Sequence, residues 1–150
     1  MSSKYVRDQV KAFIASTFPT EKVIDISAEY REFSDLMEDE SIGPDDKFIA
    51  IQFIGDRIDT ISISATNTKG CYREFGAIFI HIVEPVENGA IDNILTRGDS
   101  YIDAFTSQRL GQVVIEKVNP INTAQGATLE FQGGYTSGSI YMNYYRDRNL

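Results

Sequence analysis

The sequence predicts an α+β fold, a mostly antiparallel or mixed β-sheet with two main helices packed on it, in a single domain spanning residues 1–150. Three observations predict it. The periodicities run in the order helix, strands, helix, strands. The strand candidates follow one another through short turns, which gives hairpins rather than the long crossovers of a parallel sheet. A chain of 150 residues, 42% hydrophobic with nine Phe and eight Tyr, can fill one core without a disulfide or a metal.

Ser2 and Ser3 can cap a helix starting near Lys4, in which Val6, Val10, Phe13, Ile14 and Thr17 share one face. Pro19 ends it. The opposite face carries Lys4, Arg7, Asp8 and Lys11, and reads as a solvated surface or as a basic face for a partner. Val23 to Ile26 then reads as a strand. It passes into an acidic loop over residues 29–46, with Glu29, Glu32, Asp35, Glu38, Asp39, Glu40, Asp45 and Asp46 against only Arg31 and the adjoining Lys47. The ligand spacing of a calcium loop is absent. The loop therefore reads as solvated, or, through Glu38, Asp39, Glu40, Asp45 and Asp46, as part of an assembly interface or lumen.

Phe48 to Ile54 is apolar on both faces, the pattern of a central strand covered on both sides. Gly55-Asp56-Arg57 is expected to link it to a half-exposed strand, Ile61 to Ala65. The turn Asn67 to Gly70 leads into the longest strand, Tyr72 to Val83, which Pro85 stops because proline cannot donate into a ladder. Asn88 is expected to cap a second helix with Ile91, Ile94, Leu95, Ile102 and Phe105 as its apolar stripe and Gly98 as a weak point. Arg109 and Gly111 mark its end region. Val113 to Val118, Ala127 to Phe131 and Ser139 to Tyr145 read as further strands, the last closing the sheet, with Gly133-Gly134 as a bulge or turn.

The net charge of -8 and a pI of about 4.6 argue against tight binding to a phosphate backbone, which needs clustered Lys and Arg. A mean hydropathy of -0.22, with no apolar run of the length a bilayer requires and no basic stretch leading into an apolar signal core, predicts a soluble protein that stays where it is made. Cys71 is the only cysteine, so no intramolecular disulfide forms, and a reducing cytosol is expected. It reads as a bystander thiol. His81, the only histidine, lies inside the long strand between apolar neighbours and reads as a packed or interface residue, the alternative being a base or ligand. No glycine pattern that cradles phosphate is present. The chain is expected to be non-enzymatic, with no cofactor and no metal. Tyr141, Tyr144, Tyr145, Arg146 and Arg148 read as sheet packing or an interface, against a base-stacking platform.

The segment FIAIQFIGDRIDTISISATNTKGCYREFGAIFIHIVEPVENG, with IDNILTRGDSYIDAFTSQRL, a Val-rich strand and Asn119-Pro120 after it, resembles the tail terminator proteins of long-tailed bacteriophages, the lambda-type family. The resemblance covers roughly residues 48–120. Its features are an aromatic-Arg-Glu element after the turn, then a long apolar strand, then a Pro/Gly break that opens a helix. It implies a structural virion protein, assembled in the host cytoplasm, that forms a hexameric ring at the head–tail junction. Such a ring caps the tail tube, stops its growth and offers a surface to the head–tail connector or head-completion protein. The implied partners are further copies of the chain and the major tail tube protein; DNA passes through without specific binding, and no membrane is involved. Tyr72, Arg73 and Glu74 become candidate subunit or tube contacts, Arg73 and Glu74 reading alternatively as a local solvated pair. Two other readings stand beside this one. The first is another neck or head-completion protein. The second is a ligand-binding or enzymatic module with a cavity between the second helix and the sheet, where His81 and Gln52 are the inward polar candidates.

Overall fold

Strict alternation from Ala77 to Val83 makes one long strand the spine of the molecule, because each of its faces carries enough apolar surface to hold a separate layer. The computed structural model describes residues 3–26, 33–43, 45–60, 71–86, 89–122 and 134–149. In chain order the elements are α1 (Lys4–Thr17), β1 (Val23–Asp25), α2 (Phe33–Asp39), β2 (Phe48–Thr60), β3 (Cys71–Pro85), α3 (Ala90–Phe105), β4 (Arg109–Leu110), β5 (Val113–Val118) and β6 (Tyr135–Asn149). The strands form one sheet in the order β1-β2-β3-β6-β5-β4. Only β1 and β2 pair in parallel; the other neighbours are antiparallel. The fold is α+β.

The main core lies between one sheet face and the helices α1 and α3. Val6, Val10 and Ile14 from α1 and Ile94, Tyr101 and Phe105 from α3 meet Ile49, Ile51, Phe53, Ile78, Ile80, Ile82, Ile140, Met142 and Tyr144. Full burial of each such side chain stabilises by about 1.5–3 kcal/mol. A smaller cluster covers the other face beside β1, where Met37 of α2 and Ile42 pack on Ile24, Phe48, Ala50 and Val83. The first half of β2 is thus buried on both sides, as its sequence predicts, although it lies second from the sheet edge.

Four expectations change. The acidic loop is not loop throughout: α2 forms inside it, because Leu36 and Met37 supply an apolar side that the charge count hides. Gly55-Asp56-Arg57 is not a link. It is a bulge within β2, which continues to Thr60 by setting an extra residue opposite the Gly76–Phe75 step of β3. The last strand does not close the sheet but is inserted between β3 and β5. Ile140, Met142 and Tyr144 are buried on its helix side and Ser137 and Ser139 on the other, and a strand covered on both faces belongs inside a sheet. Finally, α3 is rotated from its expected stripe: Ile94 and Phe105 are buried, but Ile91 and Leu95 are exposed and Tyr101 and Gly98 face inward. Gly98 is a contact rather than a weak point, since a Cβ there would lie 2.6 Å from Ile121 Cδ1.

The strand from Ile61, the turn to Gly70, the Asn88 cap, the strand from Ala127, and residues 29–32 and 44 of the acidic segment lie outside the described residues. α1 keeps its expected bounds, with Ser3 at the N-cap position.

Gly76 is where backbone and core meet most closely. An added Cβ would strike the Tyr144 hydroxyl and lie 2.6 Å from the Ile54 carbonyl oxygen, neither of which can retreat. Gly76→Ala is expected to destabilise by about 1–3 kcal/mol in urea unfolding, the usual cost of overpacking; an unchanged midpoint would contradict this geometry.

Candidate subunit interface

Tyr72, Arg73 and Glu74 lie opposite Thr60, Asp59 and Ile58, at the end of the β2–β3 pair where β2 stops and β3 begins. Successive strand residues point to opposite faces, so Arg73 and Glu74 cannot pair with each other. The Arg73 guanidinium grips Asp147 of β6 through Nε (2.7 Å) and Nη2 (3.0 Å), and lies 4.2 Å from the centre of the Tyr145 ring. Their hydrogen bonds hold the Asp147 carboxyl below, and the Arg73 guanidinium above, their ordinary values. Tyr72 is half-buried.

Glu74 points into the helix side of the sheet, its side chain 7% exposed. Its Oε1 accepts from the Ser3 backbone N–H (3.2 Å) and lies 3.4 Å from the Tyr144 hydroxyl. The carboxylate therefore sits at the N-terminus of α1, where Ser3 makes no side-chain cap, and negative charge there favours the helix. Oε2 is buried without a hydrogen-bond donor, with Arg148 Nη1 3.8 Å away. A pocket of about 400 Å³ opens beside it, lined by Ser3, Gly55, Asp56, Ile58, Phe75, Arg148 and Arg57, the last paired with Asp56 and Asp59.

Glu38, Glu40 and Asp45 are exposed, and Asp39 ends α2. Asp46 accepts from Lys22 Nζ (2.8 Å) and from the Gly43 backbone N–H (2.8 Å), bonds that lower its pKa. It ties the segment to β1. Among the described residues, no group of three or more His, Cys, Asp or Glu side chains is placed to hold a metal ion.

Two apolar surfaces are left outside the core. One, on the sheet face away from α1 and α3, combines exposed Ile54 and Tyr141 with Phe79, whose ring centre lies 4.9 Å from that of Tyr141. They line a groove of about 560 Å³ that Phe75, Ala77 and Asn143 continue. The other combines Val86 after β3 with Ile91 and Leu95 on the outer side of α3. These surfaces lie on opposite faces of the sheet.

His81 is 3% exposed. Its Nδ1 lies 2.6 Å from Ser139 Oγ and its Nε2 3.3 Å from Gln52 Oε1, so the ring joins β2, β3 and β6. With Gln52 Oε1 as acceptor, Nε2 carries the proton and Nδ1 accepts from Ser139. Ser139 is 5% exposed, so both partners of this contact are buried. Cys71 is half-buried at the start of β3. Of the C-terminal aromatic and basic residues, Tyr144 is core, Tyr145 lies under Arg73, and Arg146 lies 4.0 Å from the centre of the Tyr5 ring. They form no shared stacking platform.

Sequence reading missed Arg97. It sits on the inward side of α3 between Ile94 and Tyr101, its side chain 13% exposed. It donates to Glu84 (2.9 Å), Glu21, and the carbonyls of Val83 (3.2 Å) and Phe48 (3.4 Å). An arginine one turn from buried Ile94 was the available signal.

No protein-family model matches this chain, and no curated protein matches it. Among the solved structures similar to this chain, one aligns with 96% of it and 96% of its own length, at 14% identity and a TM-score of 0.45. Among the described residues no helix is long and apolar enough to cross a membrane.

Proposed function

We propose that this chain is a structural ring protein of a phage head–tail junction, a tail terminator that caps the tube, stops its growth and receives the connector. Residues 48–120 carry the sequence resemblance to that family. The structural observation that supports a ring is the pair of unlike apolar surfaces on one protomer, Ile54-Phe79-Tyr141 and Val86-Ile91-Leu95, on opposite faces of the sheet. A closed ring of identical subunits needs a head-to-tail contact between two different patches; a two-fold dimer needs one patch that matches itself. The acidity suits a channel that DNA crosses without adhering.

Native mass measurement, with and without purified tail tubes, is expected to show hexamers. A strict monomer in the presence of tubes would end this reading. Ring formation on the tube should also stop further tube growth when the protein is added to a polymerising tube.

A further inference from the structure

The Glu74 pocket holds a charged group without a full set of partners. Oε2 is buried, accepts no hydrogen bond, and has its nearest cation at 3.8 Å, beyond hydrogen-bond length. An unmatched carboxylate oxygen beside an open pocket calls for an N–H donor on a slender stem. Ile58 and Phe75 offer that stem an apolar wall.

The chain itself carries such a donor. Lys47 is exposed, and no described carboxylate lies within ion-pair distance of it. It precedes Phe48, whose partner Val83 is nine positions along β3 from Glu74. At about 3.3 Å per residue that separation is roughly 30 Å, so Lys47 cannot reach Glu74 of its own chain. Lys47 also shares a pocket with Asn93, Thr96 and Arg97 of α3 and with Glu84, which Arg97 already holds, at the end of the molecule that carries Ile91 and Leu95. Donor and acceptor thus lie at opposite ends of the same hairpin, each next to exposed apolar surface.

We propose that the Glu74 pocket receives the Lys47 ammonium of a second copy of this chain, which sets the register of the head-to-tail contact. This rests on the ring reading above. The ammonium meets Oε2 and its stem lies along Ile58. Lys117 also lacks a carboxylate partner among the described residues, but it is opposite Asn143 on β6, away from either end of the hairpin.

The test is zero-length carbodiimide cross-linking of the protein assembled on tubes, followed by peptide mapping, beside Lys47→Ala and Lys47→Arg. The expected result is an intermolecular Lys47–Glu74 peptide in the oligomer band alone. Lys47→Ala should raise the half-assembly concentration at least about tenfold with an unchanged melting midpoint, and Lys47→Arg should recover most of the loss. If wild type assembles but Lys47→Ala assembles equally well and no such peptide forms, the contact is wrong and the ring stands. If wild type neither assembles nor cross-links on tubes, both fall.

Discussion

Replacing Arg97 by methionine is expected to destabilise the protein by about 3–5 kcal/mol, the usual result of breaking a buried ion cluster from one side. Methionine keeps most of the side-chain volume, so the loss isolates the charge. Glu84 and Glu21, 5% and 13% exposed in their side chains, would both face the space the guanidinium leaves. The Val83 and Phe48 carbonyls, where β2 and β3 run beside α3, would lose their shared donor as well. At roughly 2–4 °C per kcal/mol for a chain of this size, the melting midpoint should fall by about 6–20 °C. Glu21→Gln and Glu84→Gln added to the methionine variant should recover much of the loss, because they remove the stranded charges. A loss below about 1 kcal/mol, or no recovery, would show that water already screens the cluster. Salt should matter little, since screening acts weakly on buried pairs.

That cluster also marks the limit of what the sequence made legible. Strands β2, β3 and β5 and helix α1 were visible because their apolar periodicities are long and their stops chemical: Pro19 after α1, Pro85 at the end of β3. Pattern reading treats charges as surface, so it does not show that Arg97 within α3 and Glu74 within β3 are buried, although each is held by residues far away in sequence. The same habit hid α2, where Leu36 and Met37 are two apolar residues among acids. Sheet order was not legible either. Nothing local to Tyr135–Asn149 says that this last strand lies between β3 and β5; that follows from which strand can be buried on both faces once α1 and α3 have taken one side. For the candidate interface, Tyr72-Arg73-Glu74 was visible as an element, but its division between the two sheet faces needed the register. Arg73 faces Asp147 and Tyr145, and Glu74 faces α1.

Acid should weaken the fold through His81 before it acts through the shifted aspartates. Burial pushes the His81 imidazole down from 6.5 to about 4. Above pH 6.5 the ring is neutral in both the folded and unfolded chains and contributes no pH dependence. Between 6.5 and 4 the unfolded chain takes up a proton that the folded chain refuses, so stability falls as pH falls, by about 1.4 kcal/mol per unit and about 3 kcal/mol in all. Below about 4 this contribution is constant. The Asp46 and Asp147 carboxyls have lowered pKa values in the fold, so their stabilisation is lost only as pH falls below about 3.8, on the acid side of the histidine window. No second histidine blurs that window. Urea unfolding at pH 7.5 and 4.5 should therefore show wild type losing about 2–3 kcal/mol and His81→Gln losing under about 0.5 kcal/mol, whatever the glutamine costs at pH 7.5. Equal losses in the two proteins would mean that His81 is hydrated enough to be protonated in place. The three-strand link from Gln52 through His81 to Ser139 would then open without unfolding the sheet.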